Sequence, residues 1–306
     1  MIVNYLIRRL FHAVLVLFAV VSIVFILGRV VGDPVRIVLG VEVPEERVQM
    51  VRDQLGLNDP LPVQYVRFVS GALTLDFGES FWQKVPALPL VVDRLPATFA
   101  LTGVVFLMAV PLGITLGTLA ALYPDSILDR IISIFSMLGV SMVDFWLALM
   151  LILLFAVQLG WFKTSGYGGF QYIMLPALTL AVQPFGRVAQ ITRSAMLDQF
   201  DQPHIGVARA KGLRERRIVF LHAMKNAAVP IATIAGDTIT SVLNGSVLIE
   251  TIFAWPGVGQ LTLLGLGRRD LPLVEATVFI IALMVVAVNL VVDMSYAYLN
   301  PRIRYQ

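Results

Sequence analysis

Three polar side chains, Asp144, Asp237 and Asn244, lie inside long apolar runs of this 306-residue chain. An ionised group at the centre of a bilayer costs about 2.5 to 3.5 kcal/mol on insertion scales, so both carboxylates must face protein or water rather than lipid. Two uses are open: lining a solute path, where a carboxylate meets a cationic group on the cargo, or a local hydrogen bond to a polar residue on a neighbouring helix. Asp293 and Glu275 sit near the ends of apolar runs, where the interface is within cheap reach, and carry no such role. His222 and Asn226 are one helical turn apart, but no His, Cys or Glu stands at ligand spacing from them, which points to a structural role. The chain has three histidines, His12, His204 and His222, and no cysteine, so a thiolate site and a disulfide framework are excluded and a metal centre is not expected. It has no G-x-x-x-x-G-K-[ST] loop with which to cradle nucleotide phosphates. Asp76-Phe77-Gly78 matches the magnesium triplet of protein kinases, but the companion loops are missing and chance explains the match.

The elements that must hold these residues are membrane helices. Apolar residues make up 58% of the chain and charged residues 14%, and mean hydropathy is +0.83, outside the range of soluble domains. The net charge of +3 gives no reason to invoke nucleic acid. Arg8 and Arg9 precede an apolar run from Leu10 to Leu27, close to the roughly 20 residues a span requires. A cleaved leader is the rival reading, but the run is long for one and no small-x-small cleavage site follows. Residues 32–94 read as a small outer helical cap, with one helix from Pro44 to Gly56 and another from Pro62 to about Ala72. Further spans are predicted over Thr98–Leu122, Ile131–Val157, Tyr172–Ile191 (broken by Pro176 and Pro184), Ala227–Ile249 and Leu273–Tyr296. Gly113, Gly117 and Ala121, at four-residue spacing on the second span, form a small-residue face on which another helix can pack closely. Trp161, Phe162, Tyr167 and Tyr172 fit an interfacial aromatic belt.

Between the fourth and fifth spans lies a polar loop, residues 198–226, with six basic side chains: Arg209, Lys211, Arg214, Arg216, Arg217 and Lys225, and Arg193 just upstream. Carrying such charges across a bilayer is disfavoured, so this loop is predicted to be cytoplasmic. Arg8, Arg9, Arg130, Arg302 and Arg304 fall on the same side, whereas the short outer loops hold only Lys163, Arg268 and Arg269. A basic loop can do no more than set topology. The internal order argues for more: a helix-forming run from Ile205 to Lys211 meets Gly212, and a second begins at Leu213. A glycine there can take the left-handed conformation that ends a helix and turns the chain. Ala208 and Ala210 are small enough to let another protein's surface approach that helix.

The run Ala208-Arg209-Ala210-Lys211-Gly212-Leu213, followed by His222, Asn226 and Pro230, resembles the cytoplasmic EAA loop of the permease subunits of binding-protein-dependent ABC importers, in the variant of the dipeptide, oligopeptide and nickel group. Leu55-Gly56-Leu57, Pro60 to Tyr65, Asp76 to Ser80, Arg94 to Thr98, Glu250 to Gly259 and the ending Asn300 to Tyr305 are similar to the same group, so the resemblance covers nearly the whole chain. Gly206 stands where that loop carries a charged residue, and Asn300 where an Asp is common.

The resemblance implies that the loop is a coupling helix seated on a separate ATPase subunit through Gly206, Ala208, Arg209, Ala210, Lys211, Gly212 and Leu213. It implies a second permease subunit, two ATPase subunits holding ATP and Mg, and an external substrate-binding protein, with no cofactor in this chain. The expected product is an all-α protein of the bacterial inner membrane with six transmembrane helices, both termini cytoplasmic, and a small external cap after the first span. Its parts are a first helix at 1–31, an external segment at 32–94, a five-helix core at 95–299 that includes the loop, and a tail at 300–306. The expected cargo is a peptide, with nickel, glutathione or another small solute as the alternative. A stand-alone secondary transporter would need ion-coupling groups or inverted repeats, and no internal repeat is evident. An intramembrane enzyme would need a nucleophile or metal constellation that the spans lack.

Overall fold

A computed structural model of the chain describes residues 2–30 and 58–299, together with Pro44, Gln49 and Arg52. Apart from those three residues, the predicted helix from Pro44 to Gly56 lies outside the described residues, as does the tail from Asn300. Among the described residues every named element is helical, and the β pairing present is an isolated bridge between Glu79 and Pro86. In chain order the helices are α1 (Ile2–Val30), α2 (Leu61–Thr74), α3 (Ala87–Val92), α4 (Leu95–Leu122), α5 (Ile127–Ser141) and α6 (Asp144–Leu151). Then come α7 (Phe170–Phe200), α8 (Pro203–Ala210), α9 (Glu215–Arg217), α10 (Met224–Ile252), α11 (Val258–Gly267) and α12 (Leu271–Leu299). Wider π-helical stretches, Ile152–Gln158 and Ile218–Ala223, continue α6 and lead into α10. Two compact units result: one holds Phe99–Trp255 with the described residues before Leu6 and from Ala287 to Leu299, the other holds Pro256–Val286 and the described residues between Leu6 and Thr98.

Four helical stretches are long and apolar enough to cross a membrane: Ile7–Ile26, Ala87–Leu122, Glu215–Ile252 and Leu271–Met294. A fifth is the pair α5 and α6 taken together, and here the structure corrects the single helix expected over Ile131–Val157. The pair is bent by 106°. The Ser141 hydroxyl donates to the Met137 carbonyl (2.9 Å), a back-bond that loosens a helix end, and Met142 and Val143 are extended. Asp144 then sits in the first turn of α6, where its charge complements the exposed N–H groups of a helix start.

The first unit is organised around α7. At 31 residues it is about 46 Å long, ample for a span, but it carries Gln183, Arg187, Gln190 and Arg193 and is not among the strongly apolar helices. The reason is its position. Leu175, Ala177, Leu180, Val188, Ala189 and Met196 are almost fully buried, so the helix meets protein on most sides and needs no uniformly apolar surface. The expected break at Pro176 and Pro184 does not occur; α7 runs through both, as membrane helices do when neighbours compensate the lost backbone bond.

The small-residue face on α4 does what its spacing predicted. A Cβ added at Gly113 would lie 2.8 Å from the Val188 side chain, and one at Gly117 would lie 2.5 Å from the Ala189 carbonyl oxygen. Only hydrogen at those two positions lets α4 lie against α7. At the loop end of α7 an ion pair adds a polar lock: Arg193 Nε and Nη2 donate to the two carboxylate oxygens of Asp129 at 2.6 and 2.7 Å. Asp129 also accepts from the Asp125 amide, and its own amide donates to the Ser126 hydroxyl that caps α5.

In the second unit α1 meets α2 through a Ser22–Tyr65 hydroxyl pair (2.7 Å) and through Phe25 stacked edge-on to Tyr65 (5.2 Å between centroids). The segment 76–86 is pinned by Asp270, which is fully buried at the start of α12. Asp270 accepts from the Ser80 hydroxyl, from the amides of Phe81 and Trp82 (both 3.1 Å), and from the Leu273 amide as the cap of α12 (3.3 Å). Asp76-Phe77-Gly78 belongs to this structure: the Gly78 amide donates to the Asp76 carboxylate (3.0 Å) and the Phe77 ring packs on Phe279 (5.4 Å).

Candidate functional site

The basic loop folds as two short helical pieces around a glycine. α8 opens on Pro203, tolerated there because a first-turn amide has no partner within the helix. It ends in a left-handed turn at Gly212 (φ +73°). The Gly212 amide donates to the Arg209 carbonyl (2.9 Å) and the Leu213 amide to the Ala208 carbonyl (3.3 Å), the paired bonds of a helix stop that glycine favours. The second piece starts at Glu215 rather than at Leu213, and passes through the π-helical stretch into α10 without interruption.

Apolar anchors root this knob in its own unit. Ile205 and Ile218 are fully buried, and with Ala208, Val219, Met196, Ala195, Ala121, Ala223 and Ala227 they form one cluster, against which Leu213 packs. Ala208 therefore faces inward, contrary to the surface role its size suggested. Gly206, Val207, Arg209, Ala210, Lys211 and Gly212 are exposed and form the outward face. Across the knob, Arg209 Nε donates to Glu215 Oε1 at 2.8 Å, an exposed pair that braces α8 against the second piece. The Asn226 amide donates to the His222 carbonyl (3.1 Å) and lies 3.4 Å from His204 Nε2, so Asn226 braces α10 against α8.

The remaining sequence-derived positions divide in two. Asp237 and Asn244 are seven residues apart on one exposed side of α10, about 10 Å along the helix, and Thr233 and Thr251 are exposed there with them. Thr240, between them, donates to Asn289 on α12 (3.1 Å). This is a polar stripe on a membrane helix. Asp144 is not on it: half-buried at the start of α6, it has Arg187 of α7 as its charged neighbour. Sequence reasoning passed over Asp129 and Asp270. For Asp129 the Ser126-x-x-Asp129 spacing, a helix-start signature, was a usable signal; for Asp270 there was none, because its main partners lie about 190 positions earlier.

Residues 113–305 match the family described as the binding-protein-dependent transport system inner membrane component, and residues 2–102 match the N-terminal domain of the same kind of membrane component. The chain belongs to this family. A putative peptide transport system permease of Brucella abortus (strain 2308) is 36% identical, covering 98% of both chains. A glutathione transport system permease of Escherichia coli (strain K12) is 35% identical over 99% of both. A probable peptide ABC transporter permease of Sinorhizobium fredii is 36% identical over 98% of this chain and 99% of its own. Among solved structures, a chain of the methionine ABC transporter in an inward-facing conformation superposes with a TM-score of 0.59 at 19% identity, covering 69% of this permease and 96% of that chain. A chain of an amino acid ABC transporter gives a TM-score of 0.54 at 16% identity. Those two likenesses concern the fold. The permease is thus a multi-pass, all-helical inner-membrane component of an ABC importer that works with ATPase and substrate-binding partners.

Proposed function

We propose that this permease is one of two membrane subunits of a peptide importer, and that α8 with Gly212 is the element through which ATP hydrolysis on separate subunits drives it. The observation that carries the proposal is the construction of the loop. A rigidly rooted knob presents Gly206, Val207, Ala210, Lys211 and Gly212 outward, while Ile205, Ala208 and Ile218 tie it to α4, α7 and α10. A push on such a knob is delivered to the spans rather than absorbed by the loop. Six spans, with α7 as the sixth and both termini cytoplasmic, put this knob on the side of the ATPases. The external segment at 32–94 then meets the binding protein.

Asp237 and Asn244 support a path along α10, since polar groups of this kind are costly against lipid, while Thr233 and Thr251 on the same side satisfy their hydroxyls on the carbonyls of Val229 (2.8 Å) and Val247 (2.9 Å). The companion permease supplies the facing wall. Peptide is favoured as cargo by the names of the relatives from Brucella and Sinorhizobium, and glutathione is the second reading by the E. coli relative. Uptake of labelled dipeptides and of glutathione by cells carrying the importer, each competed by the other, separates the two.

The coupling role is tested at Gly212. Its φ of +73° is strained for any residue with a Cβ, so Gly212→Val costs about 1 kcal/mol or more in the turn and tilts α8. Expected is an importer that keeps the subunit in the membrane but loses ATP-driven uptake. Wild-type uptake by this variant removes the loop from the mechanism.

A further inference from the structure

A cavity of about 710 Å³ opens beside the basic loop, and none of the roles above uses it. One wall is the end of α4, with Ile114, Thr115, Thr118, Leu119 and Leu122, and Tyr123 just past it; the other is the second loop piece and the start of α10, with Val219, Phe220 and Met224. The lining is greasier than its residue names suggest. Thr115 and Thr118 spend their hydroxyls on the carbonyls of Leu112 (2.9 Å) and Ile114 (2.7 Å), so what remains for an occupant is carbon. At the loop end the lining changes character, to the exposed Tyr123 ring, Arg209, Glu215 and Arg216. Glu215 is already engaged by Arg209 (2.8 Å), which leaves the positive charge of Arg216 uncompensated at the mouth.

We propose that this cavity holds one acyl chain of an anionic phospholipid from the leaflet on the loop side, with the headgroup phosphate at Arg216. Dimensions and charge both select this occupant. From Ile114 to Leu122 the wall extends about 12 Å along α4, with Tyr123 just beyond, which spans most of the roughly 15 Å depth of one leaflet's hydrocarbon. An apolar slot of that depth, ending in an aromatic ring and an unpaired guanidinium, matches a lipid tail below and a phosphate above, and basic pockets between membrane helices on the cytoplasmic side bind anionic headgroups in this way. The inference rests on the cytoplasmic placement of the loop under the proposed function. Its consequence is that a lipid molecule wedges between α4 and the root of the coupling knob, so the lipid composition of the inner leaflet acts on transport at this point.

The test uses the whole importer, extracted in mild detergent, stripped of lipid and titrated with dioleoyl phosphatidylglycerol or dioleoyl phosphatidylcholine under native mass spectrometry. Expected is one phosphatidylglycerol per copy of this permease at concentrations where phosphatidylcholine is not retained. Arg216→Gln should weaken phosphatidylglycerol retention about five-fold or more, as the loss of a charge-assisted contact does. Thr118→Trp, which fills the slot, should abolish retention of both lipids; since a bulky residue there can also disturb folding, Arg216→Gln at the exposed mouth carries the decision by itself. Equal retention of the two lipids by the wild type, retention unchanged in Arg216→Gln, or a complex whose companion subunit already fills the slot each overturns the proposal. Placement of the loop is read separately. The chain has no cysteine, so Asp201→Cys reports its side of the membrane by impermeant labelling, and labelling from outside the cell would fail that reading regardless of the lipid result.

Discussion

Asp129 and Asp270 show what single carboxylates do in this chain. Each is buried, and each is saturated by donors that the chain brings from elsewhere. Asp129 is buried but Arg193 keeps 31% of its side chain exposed, so Asp129→Ala costs the charge-assisted bonds rather than stranding a buried charge, and is expected to destabilise the first unit by about 1 to 3 kcal/mol. Thermal unfolding of the purified subunit in detergent would show this as a lowered midpoint, and Arg193→Ala in the same background should add little, since the two substitutions remove one interaction. Asp270→Ala leaves the amides of Phe81 and Trp82 unanswered, at about 1 to 3 kcal/mol each. Its readout is local: residues 76–86 become open to limited proteolysis while the core resists. The Arg268 guanidinium above the Trp82 ring (5.1 Å) holds the same segment more weakly, and its loss should be felt less.

Among the elements, α7 decides the shape of the first unit and the α4 glycines decide how close a neighbour comes. Gly117→Leu places a branched side chain where the Ala189 carbonyl and the Thr192 side chain already stand, and these cannot yield without parting the helices. The expected outcome is a subunit that inserts but fails to assemble, seen as loss of the sized complex on gel filtration with the membrane level little changed. Gly206→Ala is the contrasting case, because a Cβ there meets open space and the outward face of α8 stays intact. Retained assembly and uptake are expected of that variant. The small-residue spacing on α4 and the glycine stop after α8 were readable in advance because each follows from local sterics. The bend between α5 and α6 was not: Ser141, Met142 and Val143 are common in straight membrane helices, and the turn depends on what surrounds them.

For the whole molecule, the polar stripe on α10 sets the prediction. If Thr233, Asp237, Asn244 and Thr251 face a path or a companion subunit, Asp237→Leu reduces uptake while leaving membrane insertion unharmed, since it makes the helix more apolar. Uptake equal to wild type would move Asp237 out of the path. Pull-down from native membranes is the complementary measurement: an ATPase and a second six-span subunit should accompany this chain, and cross-linking at Lys211 should join it to the ATPase. A chain that emerges alone would overturn the proposed assembly.

The sequence by itself determined the class, because long apolar runs and a concentrated basic loop have few physical solutions in a bilayer. It also set the limits of α2, α10 and α12 to within about three residues, whereas α7 runs through both prolines to Phe200 and neither α3 nor α11 was anticipated. The helix stop in the basic loop was legible because a glycine acts on the backbone within a turn of itself, down to the left-handed Gly212. Only the tertiary structure decided which side of each helix is inside. It turned Ala208 inward, gave the polar α7 its central place, separated Asp144 from Asp237 and Asn244, and paired Asp129 with Arg193 and Asp270 with the segment around Ser80. Those outcomes depend on contacts between residues 64 to 190 positions apart, and no local rule of spacing or propensity reaches that far.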